Sequence, residues 1–332
     1  MYNFYNRENE LKELISSFEA LVKEKQSKCF VIQGKKDIGK TRLVQEFVAQ
    51  IEKEVRIISS IPTFKSDKNV IEFSCQEDKA SPYYPFIGIT KEIKKRAKLF
   101  DAGIKFIQII LAIFGINDAL NALKDFANTV NETGEQKSEK IERREIKIFN
   151  QYIKFISKKS AQSPLIIFIK NAQWIDIHSL KLLHALISGN NNFWGMIILE
   201  YDDLEINEDI IEELNQIAQI KNVKQLNLFS LDKTFPMKML AGKFGEDFFT
   251  SEENDMLFTI SEGSPGKLIH FVENYCIDKL IVRENNKWVK KDEFLDSIKP
   301  VHQKLLELII SLYEDKELSE GEQRLIKKMS KL

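Results

Sequence analysis

Apolar residues recur along the first fifty positions with two different periods. Leu11, Leu14, Ile15, Phe18, Leu21 and Val22 fall at helical spacing, which predicts an amphipathic helix opening after Arg7. The unbroken run at 29–32 (CFVI) predicts a short buried strand. After a glycine-containing loop, Leu43, Val44, Phe47, Val48 and Ile51 again mark one helix face. Further strands are predicted at 70–75, 165–169, 196–199 and 223–228. Continuous apolar strands separated by helices point to an α/β fold, a parallel sheet sandwiched by helices. Beyond about Leu231 the strand pattern stops and short helical segments are predicted, broken by EGSPGK at 262–267.

Two stretches depart from this alternation. Residues 104–116 (IKFIQIILAIFGI) are strongly apolar but too short and too interrupted to cross a bilayer, so a buried helix pair is predicted. Residues 131–145 (NETGEQKSEKIERRE) are polar and read as a mobile insertion or a solvated helix start.

Composition narrows the picture modestly. The 332 residues suffice for one large domain or two ordinary ones, and 43% hydrophobic with 30% charged residues is usual for a globular protein. The 49 basic and 50 acidic residues nearly cancel, which gives no overall attraction to nucleic acid or to an anionic membrane. Cys29, Cys75 and Cys276 are far apart and show no metal-ligand spacing, and Cys29 and Cys75 sit in strand-like apolar runs. The charged, amphipathic N-terminus is not a signal peptide. A reduced, cytoplasmic protein is the expectation.

The chemistry resides in residues 34–41, GKKDIGKT, which fit G-x-x-x-x-G-K-[ST] between a strand and a helix. A phosphate chain needs several backbone N–H groups pointing inward, which a glycine-containing loop supplies, and the following helix turns its N-terminus to the anion. Gly34, Lys35, Lys36, Asp37, Ile38, Gly39, Lys40, Thr41 and Arg42 are therefore the candidate nucleotide-binding residues of a P-loop. Lys40 is placed to reach the β- and γ-phosphates, and Thr41 to offer its hydroxyl to Mg²⁺.

The chain resembles the signal-transduction ATPases with numerous domains, the STAND branch of AAA-like P-loop proteins, over nearly its whole length. Residues 5–11 (YNRENEL) are similar to that family's opening motif, with Asn6 in place of a glycine. Residues 81–86 (SPYYPF) resemble its proline-tyrosine segment. Residues 172–176 (AQWID) followed by Ser179, Leu180, Leu182 and Leu183 resemble the stretch after its Walker B strand. Gly263, Ser264 and Pro265 are similar to the glycine-x-proline sequence of its helical lid. The resemblance implies a P-loop NTPase core at 1–230, a helical lid at 231–285, and at 286–332 the start of a winged-helix-like segment, as in a fragment of a longer protein or a natural truncation. It also implies that Tyr5 and Arg7 lie near the adenine and that Pro265 contributes to the nucleotide site.

The chain departs from that family at two places. The Walker B strand usually ends in two adjacent acids, but here Lys170 and Asn171 follow the run at 165–169. An ammonium cannot coordinate Mg²⁺, and an amide orients a water without taking its proton. Where the family often carries an arginine after the next strand, this chain has Glu200, Tyr201, Asp202 and Asp203. Asp176 and Asn171 are the remaining catalytic candidates. Asp176 reads better as an N-cap for the helix at Ser179. In one variant of this reading Lys170 points at the phosphates and partly replaces Mg²⁺.

The function expected is an ATP- or ADP-binding regulatory module of a signalling-type ATPase with weak or lost hydrolysis, with Mg²⁺ either bound at Thr41 or partly replaced by Lys170. An active ATPase switch using an acid elsewhere and a nucleotide-free scaffold are the alternatives. An origin-binding, loader-type AAA ATPase is disfavoured by the balanced charge and the lack of a complete winged helix with a basic recognition helix, and a small-molecule kinase by the lid and entry motifs. The partners implied are nucleotide and either another protein or further domains of the same polypeptide. No membrane partner is implied, and the charge balance disfavours nucleic acid. His178, His184 and His270 are assigned to packing or surface roles, as is Lys267 at the lid.

Overall fold

A computed structural model describes residues 2–55, 61, 64–79, 81–97, 135–188, 192–202 and 208–313. The predicted apolar pair at 104–116 lies outside these residues. So does Asp203.

The chain divides into two units. The larger comprises residues 10–35 and 40–227, and the smaller residues 1–9, 36–39 and 228–332. In the larger unit, helices α1 (Glu8–Glu24), α2 (Lys40–Val55), the single turn α3 (Ser66–Asn69), α4 (Tyr84–Ala97), α5 (Glu135–Ser160), α6 (Ile177–Ser188) and α7 (Glu208–Ala218) alternate with five strands. These are β1 (Lys28–Gln33), β2 (Val70–Ser74), β3 (Leu165–Lys170), β4 (Gly195–Tyr201) and β5 (Val223–Asn227). All pair in parallel, in the order β2-β3-β4-β1-β5. All five predicted strands are present. Of the two readings of 131–145, a helix is present from Glu135 onward.

Burial explains why these segments became strands. Phe30, Val31 and Ile32 of β1, Ile166 to Ile169 of β3 and Met196 to Leu199 of β4 are all inaccessible or nearly so. Each side chain of that size contributes roughly 1.5–3 kcal/mol on leaving water. Sheet faces that are apolar on both sides need helices on both sides. α1 buries Leu11, Leu14, Phe18 and Leu21, and Phe18 meets the Phe47 ring of α2 edge-on at 5.9 Å.

The strand order matters for chemistry. β4 separates β1 from β3, so the strand carrying the glycine loop is not the neighbour of the strand ending in Lys170. Its neighbours are β4 and β5, and along β4 Ile32 stands opposite Glu200 and Gln33 opposite Tyr201.

The smaller unit has its own core, built on Leu231, Phe235, Leu240, Leu257, Leu268, Phe294 and Ile298. Its helices are α8 (Phe235–Phe244), α9 (Ser251–Ser261), α10 (Pro265–Phe271) and α11 (Phe294–Tyr313). α9 starts at a capping box: Thr250 Oγ1 accepts from Glu253 N–H, and Glu253 Oε2 accepts from Thr250 N–H. α10 opens with Ser264 as N-cap and Pro265 in its first turn. The unit is not wholly helical. β6 (Ile281–Glu284) and β7 (Lys287–Lys290) form an antiparallel hairpin. Its two-residue turn holds Asn285 at φ 47° and Asn286 at φ 64°, the left-handed pair that such turns require.

Candidate functional site

The glycine loop joins β1 to α2. Gly39 has φ +101°, which L-residues rarely adopt, and Asp37 has φ 64°. Lys40 and Thr41 form the first turn of α2, whose unsatisfied N–H groups and dipole favour an anion. Lys40 Nζ donates to Gly34 O at 2.5 Å and to Lys35 O at 2.8 Å, so the ammonium lies along its own loop. Lys35 and Lys36 are exposed, Ile38 is buried, and Arg42 pairs with Glu46 one turn on at 3.1 Å.

Thr41 has a partner that the sequence did not identify. Its Oγ1 hydrogen-bonds Glu200, at 2.8 Å from Oε1 and 3.0 Å from Oε2. Glu200 lies near the end of β4 and is only 4% exposed. Burial raises the pKa of its carboxyl, opposed by the Thr41 hydrogen bond and by the nearby Lys40 and Lys170 charges. The acid read only as standing where an arginine was expected is thus in contact with the loop.

The end of β3 is engaged elsewhere. Lys170 Nζ pairs with Glu72 of β2 at 2.7 Å and lies 5.5 Å from the Phe168 ring centroid. The neighbouring strand thus offers Lys170 a carboxylate partner, the alternative to the variant in which Lys170 points at the phosphates. Asn171 takes the left-handed conformation at φ 54°, and its Nδ2 donates to Ser74 Oγ at 3.0 Å.

Asp176 behaves as a cap. Its Oδ1 accepts from Ser179 N–H at 2.9 Å and its Oδ2 from Ser179 Oγ at 2.6 Å, at the start of α6. Oδ1 also accepts from Tyr83 N–H at 3.0 Å. The carboxyl is 8% exposed, and burial foremost raises its pKa.

The remaining predicted residues belong to the smaller unit. Asn6 sits at φ 52°, a conformation that asparagine tolerates better than most residues. Its Nδ2 donates to Asp232 Oδ2 at 3.0 Å. Tyr5 Oη bonds Thr234 Oγ1 at 2.9 Å, and Arg7 Nη2 donates to Phe229 O. Asp37 O accepts from both Gly266 N–H at 2.8 Å and Ser264 Oγ at 2.9 Å, which brings the segment around Pro265 against Asp37. A Cβ at Gly266 would lie 2.6 Å from Asp37 Cβ, so only glycine fits there.

A metal ion held by protein alone is not provided for: among the described residues no group of three or more His, Cys, Asp or Glu side chains is arranged to bind one. Thr41 Oγ1 and the Glu200 carboxylate instead make a small set of hard oxygen donors beside the loop. That set suits Mg²⁺, which keeps several waters and binds through one or two protein oxygens together with substrate phosphates.

A parallel sheet with a glycine loop, lysine and threonine at the strand-to-helix turn defines a P-loop NTPase. Residues 3–194 match the family model described as AAA ATPase domain, and the chain belongs to that family. No curated protein matches the sequence. Among solved structures, the ORC2 protein of Aeropyrum pernix in its ADP form shares 14% identity at TM-score 0.51, covering 96% of this chain and 78% of that one. The same protein in ADPNP-ADP complexes shares 15% identity at TM-score 0.48, covering 82% of this chain. This chain spans 63% of that structure's length. A STAND protein with a tetratricopeptide repeat sensor from Pyrococcus horikoshii shares 16% identity at TM-score 0.42, covering 98% of this chain and 37% of that one. No helix among the described residues is long and apolar enough to cross a membrane.

Proposed function

We propose that this chain is the nucleotide-binding regulatory module of a STAND-type signalling ATPase, holding ATP or ADP and hydrolysing it slowly. One contrast carries the reading. The loop at 34–41 is complete, whereas the end of β3 presents Lys170 and Asn171, tied to Glu72 and Ser74. Binding depends on loop amides, the helix N-terminus and Lys40, all of which the chain retains. Turnover depends on positioned charge and an oriented, activated water. Asn171 has no basic group to take that water's proton.

The ordered series of STAND-like motifs supports the signalling assignment, with a helical lid at 231–285 and a winged-helix-like start at 286–332. Such a module works in the cytoplasm on further domains of its own polypeptide or on a protein partner.

Isothermal titration of ATP and ADP, with turnover measured on the same sample, tests the reading. The native chain is expected to bind both nucleotides, and Lys40→Ala to weaken binding by about tenfold or more, or 1.4 kcal/mol. Absence of binding would leave a nucleotide-free scaffold. Lys40-dependent turnover at roughly 1 s⁻¹ or faster, the range of ordinary enzymes, would replace the slow switch by an active ATPase.

A further inference from the structure

We propose that Glu200 is the carboxylate that orders the Mg²⁺ of the bound nucleotide together with Thr41, a role moved from the end of β3 to the end of β4. The inference rests on the nucleotide-binding reading above and assigns a residue within it.

Position makes the first part of the case. In a P-loop protein, Mg²⁺ is held by the hydroxyl that follows the loop lysine and by an acid from a nearby strand end. In this chain the loop strand lies between β4 and β5; β5 (VKQLN) carries no acid, whereas on β4 Glu200 stands opposite Ile32, two residues before Gly34. β3 and β4 are themselves paired through Ile169 and Leu199, and the next residues along are Lys170 and Glu200. The acid missing from one strand end is therefore present on the adjoining one.

Contact makes the second part. Both carboxylate oxygens of Glu200 lie within 3.0 Å of Thr41 Oγ1, the hydroxyl expected to meet the ion. Lys170, the cation at the neighbouring strand end, is engaged by Glu72 at 2.7 Å. A carboxylate this deeply buried is costly to keep even with the Lys40 and Lys170 charges nearby. A divalent cation held beside Thr41 would add to that compensating charge at the carboxylate oxygens themselves. Glu200 restores metal ordering without restoring a water-activating base, because its oxygens face Thr41. Metal-dependent binding and slow turnover then coexist.

The opposite role makes opposite predictions. A carboxylate that merely caps α2 or repels phosphate would weaken nucleotide binding with or without metal, and its removal would strengthen both.

The test is titration of ATP into the native chain, Glu200→Gln and Glu200→Asp, each with Mg²⁺ and with EDTA, alongside Mn²⁺ titration of the ATP complex by electron paramagnetic resonance. Native protein is expected to bind ATP more tightly with Mg²⁺ than with EDTA. Glu200→Gln should lose about 10- to 100-fold in metal affinity, the range for removing a group that orients metal ligands, while binding in EDTA is retained. Glu200→Asp keeps the charge on a shorter arm and should recover part of the metal dependence, which a folding defect would not do. Unchanged metal dependence in Glu200→Gln would overturn the assignment, and so would a gain of affinity equal in Mg²⁺ and EDTA. Native binding that is indifferent to Mg²⁺ would overturn it while leaving the nucleotide-binding reading standing. A native chain that binds no nucleotide at all would overturn that reading and this one together.

Discussion

The backbone N–H of Tyr83 donates to Asp176 Oδ1 at 3.0 Å, joining the proline-tyrosine segment to the start of α6. Tyr83 holds φ 59°, and its side chain is 1% exposed. The same carboxylate caps α6 through Ser179, so it serves two elements separated by 93 positions.

Asp176→Ala is therefore expected to destabilise the fold rather than alter the chemistry. Loss of the cap costs about 1 kcal/mol, and leaving the Tyr83 N–H without its acceptor costs about 1–3 kcal/mol more. Asp176→Asn keeps one acceptor oxygen and should recover part of the loss. Urea unfolding of both variants checks the order. A large fall in the nucleotide affinity of folded Asp176→Asn would contradict the purely structural role.

Lys170→Ala provides the complementary control at the end of β3. The Lys170–Glu72 pair is partly solvated, with side chains 25% and 41% exposed. Exposed pairs contribute roughly 0–1 kcal/mol, so the change in stability should fall in that range. ATP affinity in EDTA should change by less than about threefold, below 1 kcal/mol. A larger loss measured by titration would restore Lys170 as a phosphate contact.

The sheet was legible because its strands are buried runs: LIIFI at 165–169 cannot be hidden on one face only. The hairpin was not. In β6 and β7 the exposed Arg283, Glu284 and Lys287 and the half-buried Lys290 interrupt the apolar positions, and the turn uses two asparagines instead of a glycine. The loop was legible as a local motif. Its contact with Glu200 was not, because it depends on pairing β1 with a strand 159 residues later in the chain, counted from Thr41 to Glu200. Only the strand order places that acid beside the threonine.

Gly266→Ala probes the smaller unit. An added Cβ would sit 2.6 Å from Asp37 Cβ and 2.8 Å from Asp37 O, and backbone cannot swing away as a flexible side chain can. Overpacking of this kind costs about 1–3 kcal/mol. Relief requires Asp37 to move, so the Gly266 N–H to Asp37 O bond should weaken as well. Hydrogen exchange of the backbone amide at this position should therefore be faster in the variant than in the native chain. An unfolding midpoint equal to that of the native chain would show that the approach is looser than these distances imply.

Glu145 gives a stability signal with a definite pH sign. It accepts from His178 Nδ1 and from Tyr83 Oη, with Tyr83 Oη at 3.4 Å. Burial raises the pKa of this carboxyl, but His178, Lys181 and the Tyr83 hydroxyl outweigh it, and the net shift is downward. A carboxyl whose pKa is lower folded than unfolded binds fewer protons in the folded state. Its contribution is therefore complete above the unfolded value of about 4.3 and is lost as pH falls through the folded value. Glu145→Gln removes the titration while keeping an acceptor oxygen. Urea midpoints measured between pH 7 and pH 3 should show the native chain ahead of Glu145→Gln at neutral pH. That advantage should shrink across the acid range, and a gap that widens as pH falls would reverse the sign argued here.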